Sequence, residues 1–71
     1  MFKYSIIIPV YNEEKILISN ISSYISELNK LNINFEIIVS ENGSTDNTKD
    51  LLIDLESKFK NVTVIIPKQN L

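Results

Sequence analysis

Three short apolar runs punctuate the chain: Tyr4-Ser5-Ile6-Ile7-Ile8, Phe35-Glu36-Ile37-Ile38-Val39 and Val62-Thr63-Val64-Ile65-Ile66. Each is rich in β-branched residues and bounded by Pro, Asn or Gly, which predicts strands. Their hydrophobicity is close to continuous rather than alternating, the pattern of parallel strands covered on both faces. Between the first two runs, Leu17, Ile21, Tyr24, Leu28 and Leu31 recur at steps of four and three. That spacing places them on one face of a helix, with Tyr24 in the core. Asn12 is the expected N-cap, followed by Glu13 and Glu14 where carboxylates complement the helix dipole. Leu51, Leu52, Leu55 and Phe59 repeat the pattern between the second and third runs. Ser44 or Thr45 is the expected cap there, with Asp46 in the first turn and Lys58 and Lys60 near the end.

The predicted architecture is α/β: a β-α-β-α-β unit with three parallel strands, each crossover long enough to join parallel neighbours. With right-handed crossovers and strand order 3-2-1, both helices fall on the same face of the sheet. The other face is then bare, although its strands read as buried on both sides. Residues 1–71 are therefore expected to be one partial domain, the opening part of a larger fold. Later chain or self-association would cover the open face.

Composition narrows the chemistry. The 71 residues include no Cys and no His, so disulfides, thiolate metal sites and histidine-based catalysis have no residues here. The net charge is −2 and every basic residue is Lys, which argues against a nucleic-acid partner. No run approaches the ~20 apolar residues of a membrane helix, and the N-terminus lacks a secretory pattern. The expected location is cytoplasmic, the cytoplasmic face of the membrane included.

In an open parallel sheet, ligands bind beyond the carboxyl ends of the strands. Two polar, turn-prone loops meet that edge: Pro9-Val10-Tyr11-Asn12-Glu13-Glu14 and Ser40-Glu41-Asn42-Gly43-Ser44-Thr45-Asp46. Neither is a Walker loop or a GxGxxG fingerprint, and a single glycine does not make a backbone cradle for pyrophosphate. What they offer suits a nucleoside. Tyr11 gives an aromatic face for a base, Glu13 can accept from ribose hydroxyls, and Asn42 can pair with the edge of uracil or guanine. Glu41 accepts only, which suits a base N–H or a hydroxyl. The simpler reading of Gly43-Ser44-Thr45-Asp46 is a turn and a helix cap, and Thr45, Asp46 and Thr48 are assigned mainly to capping.

These two loops, in this order and spacing, resemble the start of a family 2 glycosyltransferase with the GT-A fold, a Rossmann-like domain. Members commonly carry Pro-x-Tyr-Asn-Glu after one strand and Asp-Asp-Gly-Ser-Thr-Asp after the next. The resemblance spans nearly the whole chain. It implies inverting transfer of a sugar from a nucleotide-diphosphate donor to a saccharide or lipid-phosphate acceptor. On that footing Pro9, Val10, Tyr11 and Glu13 line the donor nucleoside pocket. Glu41 and Asn42 stand where the family has its aspartate pair, a departure that leaves the base open. The resemblance also implies a divalent metal, Mg or Mn, held by an Asp-x-Asp motif, and a catalytic carboxylate. Both come later in the family's sequence, so no catalytic residue or metal ligand is expected in residues 1–71. Asp50 and Asp54 do not substitute, since they belong to a solvated helix face. The alternatives are a non-catalytic nucleoside-binding remnant, or a partner-dependent α/β module. A receiver-type domain is disfavoured because the third run ends in Ile66-Pro67-Lys68 rather than an acidic residue.

Overall fold

The computed structural model describes residues 3–66. Strands β1 (Tyr4–Val10), β2 (Phe35–Glu41) and β3 (Val62–Ile65) alternate with helices α1 (Leu17–Lys30) and α2 (Thr48–Lys58). The strands form one parallel sheet in the order β1-β2-β3. The register runs from Tyr4 opposite Phe35 to Val10 opposite Glu41, and from Ile37 opposite Val62 to Ser40 opposite Ile65. The expected β-α-β-α-β architecture is the one the chain adopts.

Strand ends differ slightly from the apolar runs. Pairing in β1 and β2 continues past Ile8 and Val39 to Val10 and Glu41. Pro9, which cannot donate to a ladder, is tolerated because β1 lies at the sheet edge. Strand β3 stops at Ile65; the Pro67-Lys68 end of the third run lies outside the described residues.

Alternation along the strands divides the sheet into two faces. Val10, Phe35, Ile37, Val39 and Val62 are buried on the helix side, packed with Leu17, Ile21 and Ile25 of α1 and Leu52 and Leu55 of α2. Both helices lie there and touch each other. Each buried aliphatic side chain stabilises the fold by roughly 1.5–3 kcal/mol relative to exposure. The second face carries Ile7, Ile38 and Ile65 among Ser5, Glu36, Ser40 and Thr63, and nothing within the described chain covers it. Ile7 is 68% exposed and Ile65 51% exposed. Ser5 donates to Glu36 across this face (Oγ to Oε2, 2.6 Å). The near-continuous hydrophobicity of the strands is thus matched by cover on one side only.

Three helix expectations need correction. The buried stripe of α1 runs through Leu17, Ile21 and Ile25, whereas Tyr24 is 47% exposed and Leu31 64% exposed. Steps of four keep one line of side chains over a narrow sheet, and Tyr24 falls beside that line. It borders an apolar hollow of about 470 Å³ with Ile6, Ile8, Leu28 and the stem of Glu27. Leu31 is the C-cap, past the last packed turn.

Asn12 is not the N-cap of α1. The backbone first makes a separate turn, in which the Glu13 carbonyl accepts from the N–H groups of Ile16 (3.0 Å) and Leu17 (2.8 Å), and α1 begins only at Leu17. Nor do Ser44 and Thr45 cap α2. The N-cap is Asn47, whose side chain makes no capping bond, and Asp46 precedes the helix rather than standing in its first turn, its Oδ1 accepting from the Thr48 N–H at 2.9 Å. The hydroxyls of Ser44 and Thr45 face the first loop instead.

Candidate functional site

The loops that follow β1 and β2 emerge side by side because the two strands end in register, Val10 opposite Glu41. One more ladder-like bond continues the pairing, from the Asn42 N–H to the Val10 carbonyl at 2.9 Å. Beyond it, side chains replace strand pairing. The Asn12 N–H donates to Ser44 Oγ (2.9 Å), and the Asn12 amide engages Thr45 twice. Its Oδ1 accepts from the Thr45 N–H (2.7 Å) and its Nδ2 donates to Thr45 Oγ1 (3.4 Å). Asn12 takes φ = 47°, a left-handed conformation to which Asn is better suited than most residues.

A second patch joins the loops closer to α2. The Glu13 N–H donates to Thr48 Oγ1 (2.9 Å), and that hydroxyl donates to Asp46 Oδ1 (2.5 Å). The Glu14 N–H reaches Asp46 Oδ2 (3.5 Å), while Glu14 Oε1 accepts from the Asn47 N–H (3.1 Å). The hydroxyl of Thr48, followed by its backbone N–H, holds the Asp46 carboxyl below the ordinary aspartate value, against some desolvation. Asn, Ser, Thr and Asp fill these loops because their short polar side chains satisfy backbone N–H groups that have no strand or helix partner.

Glu41 is the buried charge of the site. Its side chain is fully enclosed, with Oε1 accepting from the Gly43 N–H and Oε2 from the Ser44 N–H, both at 2.8 Å. Burial pushes its pKa up, but the bonds from Ser44 and Gly43, helped by the charge of Lys49, outweigh it and hold the carboxyl below its usual value. Gly43 sits at φ = 84°, a conformation that L side chains rarely adopt, so a glycine lets the backbone turn back onto Glu41.

The residues singled out from the sequence therefore divide into two groups. Tyr11 is 54% exposed, Pro9 and Asn42 are exposed, and Glu13 is half-buried. Val10 and Glu41 point into the protein: Val10 is 1% exposed and belongs to the core, and its carbonyl holds Asn42. Their side chains do not line an open pocket, because even-numbered β1 positions and odd-numbered β2 positions face the helices. A depression of about 360 Å³ lies beside the loops, bounded by Asn12, Glu13, Glu14, Lys15, Ile16 and Asp46. Of the expected nucleoside residues it includes Glu13 alone. What the sequence did not reveal is the stitching by Asn12, Ser44, Thr45 and Thr48; the available signal was the density of short polar side chains in both loops.

The described residues do not fit a divalent metal. No group of three or more Asp or Glu side chains among them is arranged to hold one, and Asp46 and Glu14 are engaged by backbone N–H groups. Nor is any described helix long and apolar enough to cross a membrane.

An open parallel sheet with two joined loops at its carboxyl edge defines an α/β domain of Rossmann-like architecture. Comparison with known proteins makes the family specific. The glycosyl transferase family 2 profile matches residues 5–71, and this chain belongs to that family. It is 36% identical over 63 residues to the poly(ribitol-phosphate) beta-glucosyltransferase of Bacillus spizizenii. The aligned stretch is 89% of this chain and 10% of that protein, so the chain spans about a tenth of its relative's length.

Proposed function

We propose that this chain is the donor-nucleoside-binding segment of a glycosyltransferase. The full-length protein would transfer a sugar, with inversion, from a nucleotide-diphosphate donor to a saccharide or lipid-phosphate acceptor. The observation that carries this reading is the loop pair at the sheet's carboxyl edge, which leaves Tyr11 and Asn42 exposed while their backbones are tied together. Tyr11 stacks on the base, Asn42 pairs with its edge, and Glu13 accepts from the ribose hydroxyls. Pro9 borders the site, while Val10 and Glu41 support it from beneath. The name of the Bacillus spizizenii relative supports a sugar-transfer reaction and adds a polyol-phosphate polymer to the acceptor classes worth testing.

The transferring chemistry belongs to parts of the protein outside these residues. A divalent metal and a catalytic carboxylate would be supplied there, and the reaction would run on the cytoplasmic side. The test is titration of the full-length protein with UDP, GDP, CDP and ADP. Tyr11→Ala should weaken the preferred nucleotide by roughly tenfold or more, since base stacking is worth ~1–3 kcal/mol. Unchanged affinity would return Tyr11 to a surface role and remove the main support for the site.

A further inference from the structure

Both peptide groups that flank the Tyr11 Cα are held by the second loop. On the N-terminal side, the Val10 carbonyl accepts from the Asn42 N–H at 2.9 Å. On the C-terminal side, the Asn12 N–H donates to Ser44 Oγ at 2.9 Å. The two backbone dihedrals of Tyr11 lie between these anchored planes, so the direction in which its exposed ring leaves the backbone is set by the second loop. One residue, Asn12, provides most of the second anchor. It supplies the N–H to Ser44, takes the left-handed backbone that turns the chain, and grips Thr45 with both ends of its amide. Ser44 is in turn 6% exposed and is fastened to the enclosed Glu41, so the anchor rests on a rigid base.

We propose that Asn12 is a positioning residue of the nucleoside site. By locking the first loop to Ser44 and Thr45 it pre-orients the Tyr11 ring relative to Asn42, without touching the nucleotide itself. The proposal rests on the nucleoside reading above and deepens it. Pre-orientation lowers the ordering cost of binding, so releasing the lock weakens affinity without removing any contact to ligand. Because the lock orients a stacking ring rather than a base edge, its loss weakens every accepted nucleotide by a similar factor.

Two variants of the full-length protein separate the backbone from the amide. Asn12→Gly keeps the left-handed turn and deletes the grip on Thr45. Asn12→Asp keeps two acceptor oxygens opposite the Thr45 N–H and hydroxyl. Calorimetric titration with UDP, GDP, CDP and ADP, beside a thermal melt of each protein, gives the readout. Asn12→Gly should melt near the wild type and lose about tenfold in affinity for each nucleotide that the wild type binds, with the order of preference kept. Asn12→Asp should return affinity to within about threefold of wild type, because the carboxylate restores the grip. Wild-type affinity in Asn12→Gly would overturn the proposal while leaving the nucleoside site intact. A changed order of preference would also overturn it, by making Asn12 a base contact. Failure of Asn12→Gly to fold would make Asn12 a residue of the fold alone. A wild-type protein that binds none of the four nucleotides would defeat the nucleoside reading, and the proposal with it.

Discussion

At the scale of single residues, the site is organised around a charge that the protein encloses. Glu41 is stable there because its carboxylate meets the N–H groups of Gly43 and Ser44. A depressed pKa in the folded state means that Glu41 contributes stability above the unfolded carboxylate pKa, and that this contribution is lost as pH falls through the folded value. Asp46, held down chiefly by Thr48, acts in the same direction. Urea denaturation across a pH series should therefore show a plateau through neutrality and a loss of stability on the acid side of the ordinary carboxylate range. Glu41→Gln should cost ~1–3 kcal/mol at neutral pH, because an amide NH₂ then opposes one of the two N–H donors, of which that of Ser44 is buried and that of Gly43 partly so. The two proteins should converge in acid, where Glu41 itself is protonated; parallel curves would show that its charge is immaterial. In the sequence Glu41 reads as a ligand acceptor and Asn12 as a helix cap, since both chemistries are available to those side chains. Which one each performs depends on a neighbour more than 30 residues away for Asn12, and on the inward face of β2 for Glu41.

At the scale of elements, the strands and helices follow from local pattern almost completely, because β-branched runs and helical spacing are local properties. The exact stripe of α1 does not. Leu17, Ile21 and Ile25 form it, and Tyr24 stands to one side over a hollow. Ile25→Ala should cost ~2–5 kcal/mol by opening a cavity in the core, while Tyr24→Ala should cost clearly less. Equal losses in chemical denaturation would restore Tyr24 to the core. The same limit appears at the helix starts. A capping residue is legible by type, but the turn at Glu13 delays α1, and α2 starts from Asn47 rather than from Ser44 or Thr45. Edge strand β3 shows another non-local solution: Glu56 of α2 accepts from the Val64 N–H at 2.8 Å.

At the scale of the whole molecule, the sheet is covered by helices on one side only. A chain near this size buries only about 60% of its unfolded surface, so an uncovered apolar face weighs heavily on its behaviour. Ile7, with Ile38 opposite it in register, is the centre of that face. The 71-residue segment by itself should self-associate, and Ile7→Lys should lower its sedimentation-derived mass without lowering its melting temperature. A wild-type segment that stays monomeric at high concentration would show that the face tolerates water. Sequence alone determined the element order, the parallel sheet, the pair of loops at its carboxyl edge and the family resemblance, because each depends on residue type and short spacing. Tertiary structure alone decided which loop residues face outward and which hold the loops together. That division is set by strand register and by hydrogen bonds between residues far apart in the chain, and neither quantity exists until the sheet has formed.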